Sequence, residues 1–420
     1  MHENCGCSRR GFLRLSVGMS TGAALAAKFG LPLLGQDTVT AMAKAKRCIL
    51  LWMMGAPSQL DTWDPKPNTE TGGPFAAIQT TAPGIQISEH LPLTAKQMKH
   101  LSLIRTVNSR DPNHETAAYM LHTAYRKAAD IEHPHMGSIV AQELGMETDE
   151  MPPVVVIGSG SPAGVGYLAP EWAPVVFDRL SDPAEDVLTT KFNPRERLNR
   201  RWRMLKGFEY DFAQEHEDRR IAARQQASEK AYKILTSDRV KAFDVRLEKE
   251  NVKALYGDSD YAKAVLMARR LVESGVRFVE VMYGDWDTHV DNFGRVKQLS
   301  TEIDKPMAGL VEDLERRGML KDTLVICMGE FGRTPKINAS MGRDHWTTWS
   351  VMMGGGGIQP GRVIGKTDEL GMSIVDRPVP VNDLFATIYH AAGIPADKKL
   401  IHVPRPMKVV DGGTYVKELF

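Results

Sequence analysis

Between Arg277 and Gly357 the chain reads RFVEVMYGDWDTHVDNF (277–293), then an amphipathic helical stretch, then DTLVICMGEFGRTPKINASMGRDHWTTWSVMMGGGG (322–357). Two apolar runs of strand character each pass directly into a cluster of Asp, Glu and His. In an open parallel sheet the ligand crevice lies beyond the carboxyl ends of the strands, where these residues fall. Asp287 and His289 lie two apart, so in extended chain their side chains share a side. Glu330 follows the second run, and His345 follows in GRDHW (342–346). Carboxylate and imidazole donors together suit zinc, manganese or iron, whereas a thiolate site needs cysteines absent here. The expected cofactor is a divalent metal, zinc, manganese or calcium. Any one of these residues could equally cap or salt-bridge a strand end; four at two successive strand ends favour a site.

Working outward, RCILLWMM (47–54) is an unbroken apolar run expected as a first strand buried on both faces. Its loop, GAPSQLDTWDP (55–65), places Ser58 and Asp61 at the same rim, although either could simply bond local backbone in a turn. A helix is expected over Leu91–His100 and a strand over Leu101–Val107. NSRDPNHETAAYMLHTAYRKAADIEHPHMG (108–137) then holds His114, His122, His133 and His135, with His114 near the N-terminus of a helix beginning after Asn113. There free N–H groups favour an anion. His133 and His135 lie in a proline-broken loop and could be ligands, with ordinary surface or loop packing the favoured reading.

Pro153–Ile157 reads as a short strand before a glycine-rich loop (158–164) that lacks the Lys and Ser or Thr of a phosphate-binding loop. From 182 to 258 the composition turns to Lys, Arg, Glu, Gln and Ala with helical period, a charged hairpin laid on the sheet. Further elements are a helix over 260–274, a strand over 276–282, a crossover helix over 299–317, strands over 323–328 and 351–353, and a helix over 382–392 ended by Gly393. A short strand and turn are expected in the tail from His402. The fold class is therefore α/β, a doubly wound, mostly parallel sheet flanked by helices with a charged helical insertion, in one domain.

The chain has 420 residues, enough for a large core, and 53 Lys plus Arg against 52 Asp plus Glu. That balance gives no reason to expect nucleic acid or an anionic membrane as partner. Of four cysteines, Cys5 and Cys7 are N-terminal, while Cys48 and Cys327 sit in apolar runs as small buried hydrophobes rather than a disulfide framework. Ser8–Leu13 (SRRGFL) forms a twin-arginine pattern, followed by an apolar stretch to Leu34 and by Ala41, Met42, Ala43 as a cleavage site. Residues 1–43 are thus expected to engage the twin-arginine export machinery, leaving a mature domain (44–420) in the periplasm or outside the cell. Glycines, a proline and Lys28 argue against a stable membrane span.

Three segments resemble sulfatases: DTLVICMGEFG (322–332) is similar to their NTLVIFTSDHG, AAYMLHTAYR (117–126) to ASLLTGR, and NDLFATIYHAAGI (382–394) to DLFPTLLDLAGI. Their order and span identify the chain as a member of the alkaline phosphatase-like superfamily. GAPSQLDTWDPKP, WDTHVDNF, GEFGRTPKIN and GRDHW more closely resemble an exported bacterial branch, domain-of-unknown-function family 1501, over about 47–420. The resemblance implies two metal ions and a Ser, Thr or formylglycine nucleophile. Asp287 and His289 match one ligand pair, Glu330 an aspartate, and His345 a later histidine. Where sulfatases carry paired aspartates this chain has Gly55 and Ala56, so one metal position lacks ligands unless Asp61 substitutes. The nucleophile slot holds His114; Ser58 and Thr116 are the nearby hydroxyls, and no cysteine lies in a CxPxR context.

The function expected is an exported metal-dependent hydrolase of a phosphate or sulfate ester, its substrate an anionic ester such as a sulfated or phosphorylated glycan. Asp287, His289, Glu330, His345 and Asp61 are the metal candidates. His114, Ser58 and Thr116 are the catalytic candidates, and Arg333 or Arg343 would neutralise the anion. Trp63, Trp286, Trp346 and Trp349 suit sugar stacking or rim packing. The alternatives are a non-catalytic glycan- or protein-binding descendant and a phosphoryl transferase or mutase.

Overall fold

A computed structural model describes residues 45–180, 187, 194–215, 219–400 and 406–420. The signal segment expected over 1–43, and the start of the His402 tail, lie outside these residues. Residues from Ala43 onward form one compact unit.

The strands of the main sheet are β1 (Arg47–Met54), β2 (Leu101–Asn108), β3 (Val154–Ile157), β4 (Val175–Phe177), β5 (Phe278–Gly284), β6 (Thr323–Met328), β7 (Thr348–Gly354), β8 (Val363–Ile364) and β9 (Val379–Pro380). Their order is β8-β2-β7-β6-β1-β5-β3-β4, with β9 also on β2. All pairings are parallel except those of β7, which runs antiparallel to both β2 and β6. The carboxyl ends of β1, β5 and β6 therefore share one rim. The longer helices are α1 (His114–Thr123), α2 (Met136–Leu144), α3 (Arg195–Glu215), α4 (Arg219–Thr236), α5 (Asp260–Glu273), α6 (Asn292–Arg316) and α7 (Val381–Ala391).

β1 is central because both of its faces are apolar. Ile49, Leu51 and Met53 pack in a core with Val265, Leu310 and Val311 of α5 and α6. Leu50 and Trp52 enter the opposite core with Leu121, Ile139 and Ile388 of α1, α2 and α7. Each such side chain contributes roughly 1.5–3 kcal/mol on burial. The doubly wound expectation is met. The crossover helix starts at Asn292 rather than Leu299, because Asp291 caps it and Asn292, Phe293 and Val296 continue its buried face. The hairpin expected within 182–258 is present as α3 and α4, held by stacking of Trp202 on Tyr232 at 4.7 Å. No helix among the described residues is long and apolar enough to cross a membrane.

His135, read above as surface or loop packing, is fully buried. It caps α2 and meets Glu280 of β5 and His122 of α1. The partners fix the protons. Gly137 N–H donates to His135 Nδ1 (2.9 Å), so His135 Nε2–H donates to Glu280 Oε2 (2.9 Å). His122 faces two acceptors, the Ala118 carbonyl from Nδ1 (2.7 Å) and Glu280 Oε1 from Nε2 (2.8 Å), and so carries both protons. Burial works against each charge, yet His122 and His135 together hold the Glu280 carboxyl down at about 2. Burial lowers the His122 pKa, but Glu280 more than restores it; for His135 burial prevails and the ring is neutral. The result is one buried ion pair bridging α1 to the sheet, with a neutral histidine completing it.

Breaking a buried pair from one side costs about 3–5 kcal/mol, so Glu280→Ala is expected to lose that much in urea unfolding. The Glu280 carboxyl is depressed below its ordinary 4.5, so its contribution is complete above that pH and is lost as pH falls toward about 2. His135, lowered from 6.5, adds to the same acid-side loss, beginning below its ordinary value. Stability of Glu280→Gln followed against pH is expected to fall less steeply in acid than that of the parent chain.

Candidate metal centre

At the end of β1, Gly55 turns with φ 103° and Ala56 with φ 65°. A Cβ on Gly55 would stand 2.6 Å from the Asp287 nitrogen, so only glycine lets the β1 and β5 loops approach this closely. Gly55 N–H donates to Glu330 Oε1 (2.9 Å), and the same oxygen receives His114 Nδ1–H at 2.6 Å. Asn113 caps α1, its side chain accepting from Thr116 N–H, and so sets His114 as the first helical residue. Arg333 lies fully buried, donating to the carbonyls of Gly55 and Ala56 and to Asp287 Oδ1.

Three histidines turn their Nε2 atoms toward Asp287. His345, in a two-residue strand paired with Gly332–Arg333, donates Nδ1–H to the Pro112 carbonyl at 2.7 Å. His289 is held through Nδ1 by Asp344 at 2.7 Å, as His114 is by Glu330. The Nε2 atoms lie 3.4 Å (His114), 3.1 Å (His289) and 3.6 Å (His345) from Asp287 Oδ1, and those of His289 and His345 are 3.0 Å apart. Donors held about 2.1 Å from one cation stand roughly 3.0–3.4 Å apart at right to tetrahedral angles. His114 Nε2 is buried without a partner, and so is Glu330 Oε2. An imidazole whose other nitrogen is pinned by a carboxylate or carbonyl is the usual arrangement behind a metal ligand. The residues therefore fit a divalent cation.

The electrostatics agree. Burial raises the Asp287 pKa, but Arg333 with His114 and His289 outweigh it, keeping the carboxylate ionised. Burial and then Arg333 lower the His345 pKa, leaving its Nε2 unprotonated. The hydrogen bond to Glu330 raises His114 against its burial.

Asp287, His289, His345 and His114 are brought together, with Glu330 behind His114 rather than facing the cation position. Asp61 is not among them. It is fully buried, and Arg343, also fully buried, donates to both its oxygens (2.7 and 3.2 Å), with Asn292 at 2.9 Å. The remaining Arg343 donors go to the carbonyls of Thr71, Thr334 and Pro335. Arg343 thus has no donor left for a substrate anion, and Arg333 directs its own at the protein. Ser58 is buried, and the Thr116 hydroxyl bonds the Asn113 cap. Neither lines the cleft of about 550 Å³ bordered by Met54, Gly55, His114, Glu115, Asp287 and Glu330. Trp63, Trp286 and Trp349 are buried, which leaves packing, of the two readings given above, as the one that fits them; Trp346 is half-exposed. Sequence reading missed Asp344 as the support of His289, although its place beside His345 was a signal for it.

The fold and these side chains define an α/β protein with a histidine-carboxylate cluster at the carboxyl rim of its sheet. The chain belongs to the family described as protein of unknown function (DUF1501), whose model matches residues 45–420. It is also similar to a sulfatase from Pseudoalteromonas sp. (13% identity over 90% of this chain and 71% of that one, TM-score 0.40). A lipoteichoic acid synthase from Listeria monocytogenes matches at 11% identity over 86% and 75% (TM-score 0.39). An alkaline phosphatase from the Antarctic bacterium TAB5 matches at 13% identity over 83% and 98% (TM-score 0.35). No curated protein matches.

If Asp61 serves Arg343 rather than a metal, Asp61→Asn is expected to lower unfolding stability by about 3–5 kcal/mol while the folded fraction keeps the metal content of the parent. Elemental analysis beside urea titration checks both halves.

Proposed function

We propose that the protein is an exported metal-dependent hydrolase of a phosphate or sulfate ester, acting on an anionic glycan. The observation that carries the reading is the convergence of three Nε2 atoms on Asp287, each histidine oriented through its Nδ1. Asp287, His289 and His345 would hold the ion, which when bound supplies Lewis acidity and lowers the pKa of water. The cleft is lined by Glu115, Asp285, Asp287 and Glu330 and by no Lys or Arg. An anionic ester can enter such a site only beside a cation.

With Ser58 and Thr116 away from the cleft, water is the attacking group. His114 stands at the cleft with its Nδ1–H committed to Glu330, so Nε2 is the atom that takes the proton. Glu330 holds that tautomer, and Arg333 fixes Asp287. The ester class follows the sulfatase-like motifs, and the export follows Ser8–Leu13. The absence of a hydroxyl from the cleft lining favours, as second reading, a non-catalytic descendant that binds its glycan.

The dialysed protein is expected to retain stoichiometric zinc, manganese or calcium, lost in Asp287→Ala/His345→Ala, and to hydrolyse p-nitrophenyl phosphate or sulfate. His114→Gln is expected to keep a bound ion and lose roughly 10²–10⁴-fold in kcat. Metal-free, well-folded parent protein would falsify the hydrolase and leave the binding reading. In cell fractionation, Arg9→Lys/Arg10→Lys is expected to hold the chain in the cytoplasm; unchanged export would remove the twin-arginine assignment.

A further inference from the structure

Helix α1 separates two clefts of opposite charge. His114, Glu115 and Ala118 face the acidic cleft just described. Met120, with Ala124, Tyr125 and Arg126 just past the helix end, borders a second cleft of about 800 Å³. Arg110, from the segment joining β2 to α1, Arg126 and Lys408 line this second cleft against one carboxylate, Asp411. All three cations are exposed, and none of their side chains is in an ion pair or hydrogen bond with a described residue. Guanidinium and ammonium groups gathered around one concavity are a cost to the fold through mutual repulsion. They are what an oxyanion would neutralise, since guanidinium forks match sulfate, phosphate and carboxylate.

A second observation lies beside the same space. His133, only 3% exposed, borders this cleft, and its Nδ1 has no partner. Its ring is fixed by stacking on Tyr125 at 4.0 Å and 2°. The Tyr125 hydroxyl in turn donates to the Lys408 carbonyl at 2.6 Å, and the His133 N–H donates to the Tyr119 hydroxyl at 2.7 Å. A buried polar atom left unpaired costs about 1–3 kcal/mol unless something completes it.

We infer that this second cleft is an anion-binding site which recognises the sulfate, phosphate or carboxylate groups of an anionic oligosaccharide, one helix away from the cleft that would cleave it. The glycan as ligand rests on the ester-hydrolase reading; the anion site itself does not. The metal cleft has no Lys or Arg of its own, so charge recognition of the substrate falls to Arg110, Arg126 and Lys408. Because a helix is about 10–12 Å across, the ligand must carry anionic groups separated by about that span, which favours a chain over a single small ester.

The test is isothermal titration with a heparin-derived hexasaccharide at low and at physiological ionic strength. The parent chain is expected to bind with a salt-weakened affinity. Arg110→Ala/Arg126→Ala is expected to bind at least about tenfold more weakly, and Arg110→Lys/Arg126→Lys to recover part of that loss. Arg200→Ala/Arg201→Ala in α3 is expected to bind like the parent, and Asp287→Ala/His345→Ala to lose less affinity than Arg110→Ala/Arg126→Ala. The inference is overturned if the parent does not bind, if the metal-cleft variant loses affinity as much as the arginine variant, or if Arg200→Ala/Arg201→Ala in α3 abolishes binding instead. Binding that persists in a protein without ester hydrolysis would keep the anion site while removing the hydrolase, so the two readings fail separately.

Discussion

One oxygen of Glu330 holds the rim together. It accepts from the Gly55 amide at the end of β1 and from His114 Nδ1 at the start of α1, while its own residue follows β6. A carboxylate only 2% exposed is costly to bury, and it is tolerated here because two donors converge on it and Arg333 stands close. The geometry of the site follows. Without the Gly55 turn the β1 loop could not reach Glu330, and without Glu330 the His114 ring would have no reason to present Nε2 to Asp287. The same turn exposes the Gly55 and Ala56 carbonyls that receive Arg333, whose remaining reach fixes Asp287 itself.

What was legible in the sequence divides by range of interaction. β1, β5 and β6 announce themselves as apolar runs, and Asp287, His289, Glu330 and His345 follow because strand ends in such a sheet share a rim. His114 was placed near a helix N-terminus by the helical spacing that begins after Asn113. The antiparallel direction of β7 was not legible, since an apolar run does not encode which way it runs. Nor was the pairing of Asp61 with Arg343, which spans 282 residues. Both charges were visible, and both fell in segments that looked like site; only the fold shows that each neutralises the other inside the protein. Glu280 posed the same problem in reverse. A lone carboxylate in a buried strand demands a partner, yet nothing local says that the partners are His122 and His135, which come from two different elements.

The two buried networks divide the labour of charge around the sheet. The pair of His122 with Glu280 anchors α1 from beneath, with His122 packed on Trp52 at 4.2 Å, and Trp52 in turn borders the cleft. Asp61 with Arg343 fixes the β1 loop against the GRDHW segment and so positions His345 from the other side. Neither network is open to a ligand. Their shared consequence is that the histidines around Asp287 sit on elements fixed by ion pairs elsewhere, which is how a site on loops is given the rigidity that ligand placement requires.

This arrangement bears on how many ions the proposed centre would need. The resemblance to sulfatases implies two, with carboxylates after the first strand to hold one of them. In this chain that place is taken by Gly55, whose φ of 103° and contact with Asp287 exclude a side chain. Asp61, named above as the substitute, is saturated by Arg343 and Asn292. What occupies the ground between β1 and Asp287 is the Arg333 guanidinium, a fixed positive charge bonded to three carbonyls and to the aspartate. A guanidinium cannot activate water, but it can keep Asp287 ionised and oriented without being lost or exchanged. The proposed chemistry therefore calls for one exchangeable cation, held by Asp287, His289 and His345, beside one that is built into the chain.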